Sequence, residues 1–433
     1  MDSSPDAHPE RIPTQWSRWI RRGAAALADQ GLFAVGNFLL NVLLARWLSA
    51  RDYGAFTVAF SVFLLFGTLH TAALTEPMLV FAPGKWSHQF TEYVRSLLRL
   101  HWWGAAIGSA ALIILAGLDF LFGNRALSGS FLALSVSGPI ILLTWLARRA
   151  CYARLQPELA AMGGGAYLVT MIVFLFALRS AEIVNPMSAV LAMGAAGLVS
   201  LVVLIPALGI KLEGIGGSPV DPIIAQDHWN YGKWALATAI LGWIPTNLFV
   251  LVLPLGAGLE ASGAFRALLN LFIPMMHAIS ALGILALPAM VKVWTNSSQE
   301  YGRLVGRLAA TFAVVAALYG LTIALFGRAL IDWLYASKYA AYAPVIGFLA
   351  PVPAFAGLAA VFGSALRAVE RPDLVFRAYL FPAIAAISVG AFLSYFHGVS
   401  GASLGWLVTY AVAAASLAAF YLMWFSRSRT ENR

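Results

Sequence analysis

The stretch from Tyr53 to Ala82 is apolar almost throughout, yet it carries His70 near its middle and Glu76-Pro77 towards its end. About 20 apolar residues cross the hydrocarbon core of a bilayer, so this stretch is long enough to span it. An ionisable group inside such a helix costs free energy unless it meets a partner or a wet cavity. A membrane helix with a task is therefore expected here. Ala261 to Val291 follows the same plan. Ser262-Gly263-Ala264-Phe265 answers to Tyr53-Gly54-Ala55-Phe56, His277 to His70, and Leu287-Pro288-Ala289-Met290 to Glu76-Pro77-Met78. The chain reads as two copies of one unit.

Composition agrees. Of 433 residues 61% are hydrophobic and 11% charged, against about 25% charged in an ordinary soluble domain, and the mean hydropathy is +0.80. The lone cysteine, Cys151, rules out an internal disulfide and any multi-cysteine metal site. A net charge of +9 has a duller source than nucleic acid, namely the basic residues that set membrane orientation. No nucleic-acid partner is expected.

Residues 1–10 are polar. Ile12, Trp16, Trp19 and Ile20 then alternate with Arg11, Arg18, Arg21 and Arg22 as an interfacial lead-in. The run Ala24 to Ala45 exceeds a signal-peptide core of roughly 7–15 residues and is expected to stay as the first span. The apolar runs predict an all-α polytopic membrane protein of about twelve transmembrane helices in two parallel six-helix lobes. Placing both termini in the cytoplasm puts 21 of the 28 Lys and Arg on that side, as the positive-inside rule requires. The expected division is an N-terminal segment 1–22, an N-lobe 23–210, a connector 211–232 rich in Gly and Pro, a C-lobe 233–425 and a tail 426–433. Two links, around Phe90 to Arg99 and Tyr301 to Leu308, show helical amphipathic spacing and are expected to lie on the cytoplasmic face.

Arg266, Asn270 and His277 recur at helical spacing on one face. They form either a cavity wall for an anionic or sugar-bearing ligand, or a snorkelling arginine beside a packing histidine. Asp29, Asn37 and Asn41 make a second polar stripe, facing the lobe interface or serving helix-to-helix hydrogen bonds with Asp29 hydrated at the cytoplasmic end. Glu76 either binds a coupling cation or proton, or pairs with a cytoplasmic arginine; His70 is either a cavity residue or a core histidine. The Trp residues fall largely at membrane edges, where aromatic belts occur anyway. Walker, zincin and nucleophile-elbow motifs are absent from the sequence, so direct coupling to ATP hydrolysis is not expected; the chain is expected to be a transporter and not an enzyme, with no cofactor beyond a coupling proton or sodium ion.

With this topology, and with Ala45-Arg46-Trp47-Leu48-Ser49-Ala50-Arg51-Asp52-Tyr53-Gly54 joining the first two spans, the chain resembles the polysaccharide flippase family. That family belongs to the multidrug/oligosaccharidyl-lipid/polysaccharide exporter superfamily, where a Leu-x-x-x-Asp/Glu-Tyr-Gly segment recurs at this place. Arg367-Ala368-Val369-Glu370-Arg371-Pro372 resembles its short basic link. The resemblance implies translocation of a prenyl-diphosphate-linked oligosaccharide across the bacterial inner membrane by alternating access, for exopolysaccharide, capsule or O-antigen synthesis. Its implied partners are the lipid-linked oligosaccharide, the bilayer, and a polysaccharide polymerase or export machinery. Lipid II flippases of this superfamily line the cavity with several arginines, the first span included. Here that span carries Asp29, and Arg51 and Arg266 are the nearest candidates, which points to a glycan other than lipid II. Two alternatives stand beside this expectation: a cation-coupled multidrug exporter of the same architecture, and a membrane glycosyltransferase or polymerase, which the short outer loops disfavour.

Overall fold

The computed structural model describes residues 15–210 and 221–431. The first part of the expected connector, including Gly216-Gly217-Ser218-Pro219, and residues 1–14 lie outside the described residues. The described chain is helical, and eleven segments of it are long and apolar enough to cross a membrane. Two of those segments hide a reversal. Gly258 (φ 80°, ψ 169°) interrupts Pro222–Asn270, and Gly398 (φ 55°, ψ −137°) interrupts Ala391–Glu431. Ser262 Oγ donates to the Val250 carbonyl at 2.8 Å, a meeting that a continuous helix, rising 1.5 Å per residue, forbids for residues so far apart. Glycine occupies both corners because φ is positive there.

The crossings run as span 1 (Gln15–Trp47), span 2 (Ala50–Phe81), span 3 (Ser87–Leu121), span 4 (Arg125–Ala153), span 5 (Pro157–Ser180) and span 6 (Pro186–Ala207) in the N-lobe. The C-lobe follows with span 7 (222–257), span 8 (259–296), span 9 (Ser298–Tyr335), span 10 (Ala340–Ala368), span 11 (372–397) and span 12 (399–431). Span 8 carries a tightened turn at Leu271 and Phe272. Pro274 lacks the amide that a helix would send back to Asn270, and the nearby Leu271 carbonyl is taken instead by Tyr319 Oη at 2.6 Å.

Repetition extends to fine detail. Spans 4 and 10 both end in a left-handed residue, Leu155 (φ 57°) and Glu370 (φ 59°). In each the next amide bonds five residues back, Gln156 to Cys151 and Arg371 to Leu366, both at 2.9 Å. A proline follows in each case, as after a Schellman turn.

One expectation is corrected. The amphipathic links are not separate surface helices. Phe90, Tyr93, Val94, Leu97 and Leu98 begin span 3 and are buried in the N-lobe core, and Tyr301 and Val305 do the same for span 9. Their apolar faces found protein to pack against before they found lipid. The second half of the connector is helical, because Asp221 caps Ile223 at 2.8 Å and Pro222 opens span 7. The helix of span 12 runs on to Glu431, into the expected tail.

The lobes meet on equivalent residues of spans 2 and 8. A Cβ on Gly54 would lie 1.8 Å from the Leu259 carbonyl oxygen, and one on Gly263 would lie 2.6 Å from that of Ala50. Backbones approach this closely only where side chains are missing. Gly54→Val is expected to destabilise the fold by about 1–3 kcal/mol through overpacking, measured as a fall in melting temperature of the purified protein in detergent. Gly306→Ala, with open space around its position, is expected to leave that temperature unchanged.

Candidate substrate cavity and outer gate

Above the glycine crossing the two lobes exchange helix caps. Arg46, in the last turn of span 1, donates to the carbonyls of Trp333 (2.6 Å) and Leu334 (3.2 Å) at the end of span 9. Lys338 answers from the C-lobe, donating to the carbonyls of Ala45 (2.8 Å), Arg46 (2.9 Å) and Leu48 at the end of span 1. The last carbonyls of a helix have no partner within it and carry its negative pole. Each lobe therefore supplies a cation to the other's helix terminus. Lys338 is brought there by two consecutive left-handed residues, Ala336 (φ 52°) and Ser337 (φ 61°), a turn costing about 1–2 kcal/mol per residue. Desolvation against the helix end lowers the pKa of the Lys338 ammonium from its ordinary value.

Beneath this clip lies a buried polar plug. Asn270 Nδ2 donates to Tyr53 Oη at 3.1 Å, and Tyr53 Oη donates to Asn41 Oδ1 at 3.1 Å. Asn41 in turn donates to the Asn37 carbonyl at 2.8 Å. Tyr335 closes the layer by donating to the Ala267 carbonyl at 3.0 Å, with the Tyr339 ring 6.4 Å from that of Tyr53. With the termini cytoplasmic, as expected, this is the outer end, and it is shut from Arg46 down to Asn270.

Of the sequence-predicted residues, Asn37, Asn41 and Asn270 meet in this plug, and Arg266 lies half-buried beside it. His277 does not join them: it follows the turn at Leu271 and is exposed. Arg51 is exposed at the outer end. His70 lies in the N-lobe, its Nε2 3.0 Å from Nδ1 of the buried His101 of span 3. Sequence spacing could not pair these two, because they sit on different helices.

Each lobe also holds a pocket. In the N-lobe a cavity of about 160 Å³ is lined by Asp29, Phe33, Thr71, Trp145, Arg149 and Tyr152. In the C-lobe one of about 340 Å³ is lined by Thr238, Gly242, Thr246, Arg367, Tyr379 and Tyr410. These are counterparts. The register that pairs Tyr53 with Ser262 also pairs Asp29 with Thr238 and Phe33 with Gly242, and the register of the Leu155 and Glu370 turns pairs Tyr152 with Arg367.

Asp29 is fully buried and closed to other ligands: Arg148 Nη2 donates to Oδ1 at 2.7 Å and to Oδ2 at 2.8 Å, and Tyr152 Oη donates to Oδ2 at 2.7 Å. The guanidinium also lies over the Phe33 ring, 4.7 Å from its centroid. Arg149, one residue on, points elsewhere and lies by the Tyr152 ring at 5.9 Å. Neither Arg149 nor Arg367 has a carboxylate partner among the described residues. Both sat among the basic residues ascribed to orientation. Their only signal in the sequence was their place at the ends of spans 4 and 10, where the two halves repeat.

The pockets are bridged at the inner side by the start of span 7. Pro77 withdraws the amide that would serve the Ala73 carbonyl, and span 2 widens into a π-turn over Thr71–Thr75. The freed Ala73 carbonyl is 3.0 Å from His228 Nδ1, while Tyr93 Oη is 2.7 Å from His228 Nε2. The Ala73 carbonyl can only accept, so the ring donates through Nδ1, and a neutral ring accepts from Tyr93 through Nε2. Lys85 pairs with Asp227 at 2.6 Å beside it. Glu76 stays exposed, 3.4 Å from Tyr231 Oη.

No family model and no curated protein matches this chain. Solved structures do share its fold. An inward-facing multidrug resistance MATE family transporter of the MOP superfamily superposes with a TM-score of 0.79 at 13% identity, covering 95% of this chain and 99% of that one. The outward-facing conformation of a MATE family transporter gives 0.64 at 12% identity, with 94% and 97% covered. Lipid II flippase MurJ, inward closed, gives 0.71 at 12% identity, with 92% and 86% covered.

Two outcomes follow. Asp29→Ala or Arg148→Ala is expected to cost about 3–5 kcal/mol, since each strands a buried charge, and the double variant clearly less than their sum; a double-mutant cycle of denaturant unfolding measures the difference. Lys338→Ala is expected to weaken outer closure by about 2 kcal/mol, the scale of hydrogen bonds to a charged group. Spin labels on the exposed outer residues Glu182 and His397 should then report a longer-distance population, with the buried Cys151 left in place.

Proposed function

We propose that this chain is a flippase that moves a prenyl-diphosphate-linked oligosaccharide across the bacterial inner membrane by alternating access between its lobes, for exopolysaccharide, capsule or O-antigen synthesis. The observation that carries this reading is the pair Arg149 and Arg367, one in each of two counterpart pockets on the inner halves of the lobes. A diphosphate needs two or more cations to replace its water, and guanidinium groups bind phosphate oxygens in bidentate fashion. Hydroxyls and aromatic rings around them, from Thr246, Tyr379, Tyr410 and Trp145, suit sugars, while the prenyl chain stays in lipid. Opening of the Arg46 and Lys338 clip would then expose the head group to the other side.

A cation exporter would need a carboxylate free to meet its substrate or coupling ion. Asp29 is occupied by Arg148 and Tyr152, and of the two acids expected to hold a coupling proton or sodium ion only Glu76 keeps an exposed carboxylate.

Depleting the protein in its native cell is expected to leave the lipid-linked glycan on the cytoplasmic leaflet, shielded from a membrane-impermeant sugar label. Arg149→Ala and Arg367→Ala should each lower restoration of labelling at least tenfold, with protein level and melting temperature retained. Normal labelling on depletion, together with a change in efflux of a cationic drug, would establish the exporter instead.

A further inference from the structure

The N-lobe holds a groove distinct from the Arg149 pocket. It lies between spans 2, 3 and 4, with Leu236 of span 7 at its edge, and has a volume of about 500 Å³. That volume falls within the range of small-molecule sites, about 300–1,000 Å³. Along span 3 the groove runs from Leu100 to Leu112, about 18 Å at the helical rise, a little more than half of a hydrocarbon core about 30 Å thick. Its rim is open at Ile107, which is 70% exposed.

The wall offers hydrogen-bonding groups to no occupant. Among the described residues on it only His70 and Ser109 have polar side chains. Ser109 Oγ donates at 2.6 Å to the Ser135 carbonyl, which Pro139 leaves without a helical amide. His70 Nε2 is engaged by His101 Nδ1, and its other ring nitrogen is buried. The Ala73 carbonyl, freed by Pro77, is held by His228. Such a wall suits hydrocarbon and repels polar groups. Glycines also widen it: a Cβ on Gly104 would meet nothing within 4 Å, and Cβ atoms on Gly108 and Gly138 would stop 3.7 Å and 3.4 Å from the Phe66 and Phe63 rings. That leaves notches for the side methyls of a branched chain.

The groove shares the π-turn of span 2 with the Arg149 pocket. Thr71 and Thr75 line the pocket, whereas His70, Ala73 and Leu74 line the groove, so one helix, about 10–12 Å across, separates the two. Span 7 lies against the same turn: a Cβ on Gly232 would be 3.4 Å from the Ala72 carbonyl oxygen and from the Ala73 Cα. We propose that the groove seats the first isoprene units of the prenyl chain whose diphosphate is held at Arg149, with the connection passing through the seam of spans 2 and 7. The inference rests on the flippase reading and adds to it a place for the chain on the lipid-facing side. An ordinary phospholipid chain has no tie to the Arg149 pocket. The prenyl chain of the substrate is tied to it covalently, and this continuity selects the occupant.

Photo-crosslinking of the full chain in liposomes tests this, with a prenyl diphosphate bearing a diazirine near its diphosphate end and a phosphatidylcholine bearing one on an acyl chain as the probes. The prenyl probe is expected to label residues 69–74 and 100–112, and unlabelled prenyl diphosphate to suppress that labelling. Gly104→Leu and, independently, Gly108→Val fill the groove and should each lower it about tenfold, an effect of about 1.4 kcal/mol. Arg149→Ala should lower it as well, because head and chain belong to one molecule. Gly117→Leu, on the same helix with open space around it and outside the groove, should change nothing. Equal labelling of these residues by the phosphatidylcholine probe would assign the groove to ordinary bilayer chains and overturn the proposal, as would labelling unmoved by Arg149→Ala. Suppressible labelling elsewhere on the chain, unmoved by Gly104→Leu, would overturn the groove and leave the flippase reading standing. No suppressible labelling anywhere would overturn both. Melting temperatures, expected unchanged in every variant, keep a folding defect from imitating a lost site.

Discussion

Two glycines bring the lobes of this protein into contact. At Gly54 and Gly263 the backbones of spans 2 and 8 touch without intervening side chains, so the two lobes converge there. A single Cβ here would wedge the lobes apart. The Arg46 and Lys338 clip can reach across only because this crossing sets the two helix ends side by side. The plug of Tyr53, Asn41 and Asn270 forms for the same reason.

The bilayer imposes the second rule, that backbone groups be satisfied within the protein. Prolines in spans 2 and 8 break that rule locally, and side chains from neighbouring helices restore it: His228 serves the Ala73 carbonyl freed by Pro77, and Tyr319 takes the Leu271 carbonyl near Pro274. The first of these repairs joins the lobes. A kink in the N-lobe thereby becomes the seat for a helix of the C-lobe. At the outer end, charges meeting carbonyls are added to the apolar cluster that the two lobes share there. Such bonds are modest singly, about 1.5–3 kcal/mol when one partner is charged, and water can replace them when the lobes part.

The two-lobed helical architecture was legible from the chain alone, since hydrophobic length sets spans and repeated segments such as Tyr53-Gly54-Ala55-Phe56 and Ser262-Gly263-Ala264-Phe265 set symmetry. Those same glycines carry the lobe contact. Asp29, Asn41, Asn270 and Arg266 were visible as polar residues in apolar runs, because a bilayer makes any such residue conspicuous. What each one meets was not visible. Spacing along one helix says which face a residue occupies, whereas Arg148 reaches Asp29 and His101 reaches His70 from other helices. Arg149 and Arg367 were hidden for the opposite reason: at the ends of spans, arginines are common and carry no signal of their own. Nor could periodicity foresee that a proline turn would separate His277 from Arg266 and Asn270, or that Phe90 to Leu98 would pack on protein instead of lipid, since an apolar face fits either medium.

Sequence by itself therefore determined the medium, the number of crossings and the internal repeat, because transfer of apolar groups from water to hydrocarbon is additive along a chain and needs no partner. Only the tertiary structure decided which charges are paired, which carbonyls are capped across the lobes and which end of the molecule is shut. Those depend on distances between helices far apart in the chain, and electrostatic and hydrogen-bonding energies fall away within a few ångströms.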